Sequence, residues 1–545
     1  MTAADGAPRA RFPRWSAVAL VLAALGAVAL LIADETVGAS PAPPEETVEL
    51  PQVDRGVRYC PVTAAEDETA TLVLATGTEA AEATVVRYGA AGPQSDEPRD
   101  LDPGERVEVA LDDDAQHPVS VQWRGGPLAV SWHVEGERDA GGPCLATPAQ
   151  DWHLAGIDTA LGAEARLHLF NPFSVDAVVR VRFGTPDGRV DLARTDNVVV
   201  PAGGSEVLDL VDVQPEETEL GVTVETLAGR VVTSAEVDRA RIDEDDEGPE
   251  GRTVVPAVDE PATTWHLPLV NEDGDSWQSD VVVYNPTDRE TAVAIHTSDP
   301  LEDVARAEYS VLPGGTRRID VSDYAETSAF AVVVETVTDV PVVAVGTETF
   351  LDGDRSGHTV QQATAQVAPT WVVPGGVGER GEHVAVHNPG TAPVEVDVTA
   401  GGEPVDEWEA LTFEANERRT LSLADVGEPA GPIVVEADGD VSVGLVSSLE
   451  DGDDLGRLLG LAFDPAADEL PAEPVAVRRD PVLATEPVRR PDVDDAADDF
   501  GDVDLPGLDE PTDEDAGEPT GDDVDEPADE DEGEPADDTE DGGGA

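Results

Sequence analysis

Lysine is missing from all 545 residues, methionine occurs once, cysteine twice, and aromatic side chains make up only 4%. Each shortage removes some chemistry. Without lysine there is no Ser-x-x-Lys nucleophile, and no Gly-x-Ser-x-Gly elbow stands in its place. Two isolated cysteines offer no Cys-x-x-Cys spacing for zinc. The basic residues number 32, all arginine, against 117 acids, for a net charge of -85. Phosphate contacts need Arg or Lys in excess on at least one face, which argues against a nucleic-acid partner. No Gly-rich phosphate loop leads into a helix either, because Pro201-Ala202-Gly203-Gly204 and Pro313-Gly314-Gly315 both precede strand-like runs.

One long apolar run is present. Ser16 to Ala33 carries no charge, and as a helix at ~1.5 Å per residue it spans about 27 Å, close to a bilayer core. Arg9, Arg11 and Arg14 precede it and Asp34, Glu35, Glu45 and Glu46 follow. The positive-inside rule then leaves residues 1–15 in the cytoplasm and the bulk of the chain outside, held by a transmembrane anchor at 16–33. A signal peptide cleaved near Val37-Gly38-Ala39 is the alternative. Either way the chain is exported, and Cys60 and Cys144 are expected to form one disulfide in that oxidising compartment.

The body reads as an internal repeat. Three segments open on Trp152-His153-Leu154, Trp265-His266-Leu267 and Trp371-Val372-Val373. Each continues into an alternating apolar run ending in Asn-Pro, at Asn171-Pro172, Asn285-Pro286 and Asn388-Pro389. A second strand follows, then a small-residue turn (Pro201 to Gly204, Pro313 to Gly315, Glu414 to Asn416), then two Val-rich runs that read as a closing hairpin. A degenerate copy comes first, with Thr76-Gly77 in place of Asn-Pro and Asp102-Pro103-Gly104 as its turn. Val-rich runs of period two, punctuated by Gly, Pro, Asn and Asp, are strand signals, and their number per unit suits an immunoglobulin-like sandwich.

The expected architecture is therefore all-β: about four tandem immunoglobulin-like sandwiches, strung as a rod, after one transmembrane helix. A linker (34–56) leads to sandwich 1 (57–150) and sandwich 2 (151–241). An acidic linker (242–260) leads on to sandwich 3 (261–352) and sandwich 4 (368–463). The tail at 464–545 is expected to be disordered, since residues 491–545 hold 26 acids and no base and cannot bury enough surface to fold.

Site candidates are few. His383 and His387 have metal-motif spacing only on a helix; on a strand at ~3.3 Å per residue they lie about 13 Å apart. His153 and His266 recur beside tryptophan, which suits a structural partner better than a ligand. Hard cations want six to eight oxygens, and the acidic loop carrying Asp273, Asp275 and Asp280 is the calcium candidate. No other cofactor, and no catalytic residue, is expected.

The order of basic N-terminus, single anchor, Cys60-Pro61, Trp-opened units, Asn-Pro and Val-Val-Glu-Thr resembles an uncharacterised family of secreted or membrane-anchored actinobacterial proteins, a domain of unknown function. The resemblance implies an extracytoplasmic, envelope-associated protein, working beside envelope glycan-building enzymes. The expected function is non-enzymatic: structural, adhesive or scaffolding, with envelope proteins or glycans as partners. The alternatives are an exported glycan-active enzyme with one diverged unit and an accessory subunit of a membrane complex for envelope biosynthesis.

Overall fold

The computed structural model describes residues 55–465, apart from 62–63, 66–67, 90–91, 112–115, 137, 241–248, 269–276, 300–307, 322–323, 326–329, 353–354, 375–380, 423–430, 449–457 and 462–463. The apolar run 16–33 and most of the acidic tail lie outside the described residues. Among those described, no helix is long and apolar enough to cross a membrane. The α-helix found there is the single turn Leu210–Val213, capped by the Asp209 carboxylate, which accepts from the Val211 and Asp212 amides.

Beside it stand the 3-10 turns Ala193–Thr195 and Asp406–Trp408, and the strands among the described residues are antiparallel, in seven sheets. The strands fall into four consecutive stretches, and each stretch wraps two sheet layers around its own apolar cluster. The stretch 151–256 shows the plan. Its opening sheet runs Asp151–Ile157, Leu220–Ala228, Ala177–Thr185, Gly188–Asp191, and its closing sheet runs Gly204–Asp209, Ala163–Asn171, Val232–Arg239, Gly251–Pro256. Period-two sequence makes the layers: Ala177, Val179, Val181 and Phe183 face inward and are buried, while Arg180 and Arg182 face outward to Glu225. Each fully buried Val or Phe contributes about 1.5–3 kcal/mol.

Two motifs hold every later unit together. The indole Nε1 of Trp152 donates to the Val231 carbonyl (2.8 Å), that of Trp265 to Val342 (2.8 Å) and that of Trp371 to Val441 (3.0 Å). The Asn of Asn-Pro ties the arch by which the chain leaves one sheet for the other. Asn285 Nδ2 donates to the carbonyls of Arg289 (2.6 Å) and Leu312 (3.1 Å), and its Oδ1 accepts from the Thr287 amide (3.1 Å). Asn171 and Asn388 make the corresponding bonds. In the first unit Thr76 does the same work, its Oγ1 donating to Asp102 O (2.6 Å) and accepting from the Glu105 amide (3.0 Å). Asn388→Ala should therefore lose about 2–4 kcal/mol in denaturant melts, because buried carbonyls are left without donors.

The Val-rich runs expected to close each unit as a hairpin do not pair with each other. Leu220–Ala228 belongs to the opening sheet and Val232–Arg239 to the closing one, and the same holds for Val332–Thr336 and Val343–Asp352. In the last unit one continuous strand, Ile433–Ser448, serves both layers. Alternation fixes which face of a run is buried but not which neighbour it pairs with. Two further strands lie where the sequence suggested linker or tail. Gly251–Pro256 falls inside the acidic stretch 242–260, and Asp464–Pro465 pairs with Val372 and Trp371.

The units form a closed ring, not the expected rod; all described residues belong to one compact body. At the centre the last strand of each unit packs on the next: Ala140–Pro143 on Gly251–Pro256, that on Arg355–Gln362, that on Leu458–Leu461, and that back on Ala140–Pro143. Fourth and first units meet directly. Arg106 Nε donates to Pro374 O (3.0 Å), Ala75 and Ala129 cluster with Val372 and Val434, and a side-chain carbon on Gly104 would lie 3.2 Å from the Gly402 Cα.

Candidate functional site

The ring is built by one repeated contact. The residue just before Asn171, Asn285, Asn388 or Thr76 is a plug set into the opening sheet of the preceding unit. Phe170 packs edge-on against Tyr88, with ring centroids 4.8 Å apart, and lies 6.3 Å from Tyr59. Tyr284 donates to or accepts from Thr223 Oγ1 at 2.8 Å and lies over Gly184 and Gly221, where a side-chain carbon on Gly221 would come within 2.5 Å of its ring. His387 reaches the third unit near His266, and Ala75 meets Val372. The small-residue turns dock at the same seams: Gly314 sits on Arg189 of the hairpin that joins Ala177–Thr185 to Gly188–Asp191, Asn416 Nδ2 donates to Thr297 O (3.0 Å), and Gly104 lies on Gly402 and Gly431.

The linkers between units share a second pattern. Leu145 bridges Tyr59, Val258 bridges His153, Thr364 bridges His266, and Asp464 pairs with Val372. Four residues later Ala149, Ala262 and Ala368 bridge Val231, Val342 and Val441 of the following unit. Three linkers converge on a cavity of about 390 Å³, walled by 143–147, 257–262 and 361–366 and closed by Val443, Gly444 and Leu445 of the fourth unit. Asp259 and Glu260 lie exposed on its wall beside the amides of Gln361, Gln362 and Gln366. Its volume is that of a small-molecule pocket.

Cys60 and Cys144 form the disulfide expected of them, with Cα atoms 4.6 Å apart. It pins the first linker to the first strand, next to the Tyr59–Leu145 bridge. The same positions in the next two units hold Leu154 with Ala257 and Leu267 with Ala363, all buried. The bond replaces an apolar contact found elsewhere in the ring.

A buried ionic network that sequence reasoning did not find joins the first and second units. Arg252, 5% exposed, donates from Nη1 to Glu68 of the first unit (2.6 Å) and from Nε to Glu236 of its own unit. His168 Nε2 meets Glu236 at 3.3 Å, and Arg138 pairs with Asp238 across the same seam. Burial would raise the Glu236 carboxyl, but the His168 hydrogen bond and the Arg252 charge outweigh it and hold it at about 2. An arginine inside the run Gly251 to Val255 and a glutamate inside Val231 to Val237 were the available signals, since charge inside a Val-rich strand implies a buried partner.

Of the calcium candidates, Asp273 and Asp275 lie outside the described residues. Asp280 is buried on Trp277–Tyr284, with Arg318 Nη1 at 3.2 Å and Gln278 Nε2 at 3.4 Å. Burial pushes its carboxyl up and Arg318 opposes that shift. A guanidinium thus occupies the place a cation would take, and among the described residues no group of three or more His, Cys, Asp or Glu could hold a metal. His383 and His387 lie on the strand Gly381–His387, and His153 and His266 lie on first strands at the seams.

A family model described as a family of unknown function (DUF5719) matches residues 129–300 and again residues 272–492, more than half of the chain. No curated protein matches it.

Proposed function

The chain belongs to this family of unknown function, and we propose that it is a non-enzymatic, extracytoplasmic scaffold: four immunoglobulin-like units closed into a ring and tethered to the membrane by the run 16–33. The observation that carries the reading is the use of the loops. On a sandwich, ligand-binding residues sit on loops at the sheet ends, and here the equivalent turn in each unit docks on its neighbour. The ring then presents a rigid outer surface for envelope proteins or glycans. The disulfide supports export, since such bonds persist outside the reducing cytosol. An enzyme with one diverged unit would carry its cavity within that unit, whereas the cavity here is walled by residues of all four.

Protease treatment of intact cells tests the reading. The body should be cleaved from outside while a cytoplasmic marker survives, and thiol labelling of the untreated protein should be nil until reduction. A protected body with two reactive thiols would overturn it.

A further inference from the structure

Each unit carries a short edge strand on its opening sheet: Arg99–Leu101, Val198–Val200, Glu308–Val311 and Leu411–Phe413. The last residue of each is buried, and the residue before it is exposed beside a partner on the long neighbouring strand. An edge offers unpaired amides and carbonyls to any other extended chain, and folded proteins blunt it with charge or proline.

Three of the four edges are blunted. In the first unit Asp100 stands beside Glu82, which pairs with Arg124 at 2.7 Å, and Pro98 precedes the strand. In the third the row holds Ala292 and Val337, but Ser310 on the edge itself donates to Glu290, and Glu308 opens the strand. In the fourth Thr412 stands beside Glu395, whose amide donates to the Asp438 carboxylate at 2.7 Å. The second unit has aliphatic side chains there instead. Val199 stands beside Val178, and Leu227 lies beyond Val178 in the bulge of Leu220–Ala228. Val199 is 53% exposed and Leu227 42%. Asp196, the acid before the strand, is taken up by Arg180 at 3.2 Å. Among the described residues Val198–Val200 pairs with Ala177–Thr185 alone.

We propose that this edge is where two copies of the chain join: Val198–Val200 of each pairs antiparallel with the other about a two-fold axis through Val199, and the two opening sheets become one. The edge offers backbone hydrogen bonds and aliphatic surface with no charge to read, and a second copy presents the identical pair. Pairing about Val199 sets Val198 opposite Val200, Asn197 opposite Pro201 and Asp196 opposite Ala202, so no like charges meet across the axis. The same operation on the first unit would set Asp100 against Asp100. The axis also brings Val199, Val178 and Leu227 of both copies into one outward row, where cross-strand aliphatic pairs cover one another. A contact of three residues a side belongs to the small, transient class of interfaces, below about 1,200 Å². The proposal is independent of export, since the edge lies on the ring whether or not the chain is tethered.

Sedimentation of the full chain in detergent at about 0.1 mM, which populates complexes with Kd of about 0.1 mM or tighter, should show a reversible monomer–dimer equilibrium. Val199→Lys, at an exposed position, should weaken it at least about tenfold. Rising salt should strengthen it, because each copy carries a charge of -85 and the screening length falls from about 10 Å at 0.1 M to about 3 Å at 1 M. Cross-linking then fixes the register, with the native cysteines already joined. Val199→Cys should give a disulfide-linked dimer on oxidation, as should a mixture of Asn197→Cys and Pro201→Cys chains, since directly opposed Cα atoms lie within disulfide reach. Asn197→Cys alone should not, its two copies lying about 13 Å apart along the strands, nor should Thr412→Cys on the equivalent edge of the fourth unit. An unaltered chain that stays monomeric, a dimer untouched by Val199→Lys, or equal cross-linking at 199 and 412 would each overturn the proposal; the first would leave the edge to an extended segment of another protein.

Discussion

Arg252→Met is expected to cost about 3–5 kcal/mol, the range for removing one partner of a buried ion pair, and to loosen the first unit from the second. Nearly all of Arg252 is buried, and its guanidinium answers two carboxylates from different units, Glu236 and Glu68. Removing it leaves Glu236, 2% exposed, with His168 as its remaining partner. The double variant Arg252→Met/Glu236→Leu should recover a large part of the loss, since burying matched apolar groups avoids the desolvation that the pair must offset. The network also has a definite pH dependence. Glu236 is held at about 2 in the folded protein, below its ordinary 4.5. Its contribution is complete above pH 4.5 and is lost as pH falls toward 2. Urea melts across that window, compared with Glu236→Gln, check the sign: the variant should show the shallower decline.

Phe170→Ala should be comparably severe, about 3–5 kcal/mol. The ring is completely buried and fills the recess formed by Tyr59 and Tyr88. Alanine occupies the equivalent position at Ala75 without penalty because the surface it meets is different: Val372 and Val434 come up to fill the space. A plug is therefore matched to its own seam. Phe170→Leu should lose much less, because most of the volume is kept. Deletion of residues 466–545 should leave the melting transition nearly unchanged, and a large drop would mean that the tail is docked.

Much of the local structure was legible in the sequence, because repetition pins it. The recurring Trp and Asn-Pro mark first strands and sheet-crossing arches, and each side chain makes the same backbone bonds wherever it recurs. The disulfide was legible from an even cysteine count once the chain was read as exported. Three things were not. Val-rich runs buried on one face say nothing about which sheet they join, so an arch between layers read as a hairpin. Ring closure rests on Ala75, Gly104 and Gly402, small residues indistinguishable from ordinary turn and strand positions. The seams were hidden for a related reason: His153, His266 and the residues before Asn-Pro look like alternating strand positions until the next unit is placed against them. The net charge of -85 gave no hint that Arg252, one of the 32 arginines, is interior.

The central claim is that the fourth unit returns to the first, and one distance decides it. Pro103 and Glu403 are exposed and flank Gly104 and Gly402, whose backbones touch. Spin labels on Pro103→Cys and Glu403→Cys react selectively because the native cysteines are joined in a disulfide. Double electron–electron resonance on the full chain should give one short distance, below about 25 Å once two label arms are added to touching backbones. In a rod, two intervening units of about 100 residues, each with a radius of gyration of about 13 Å, would push the pair past about 60 Å. A distribution centred there would contradict the ring.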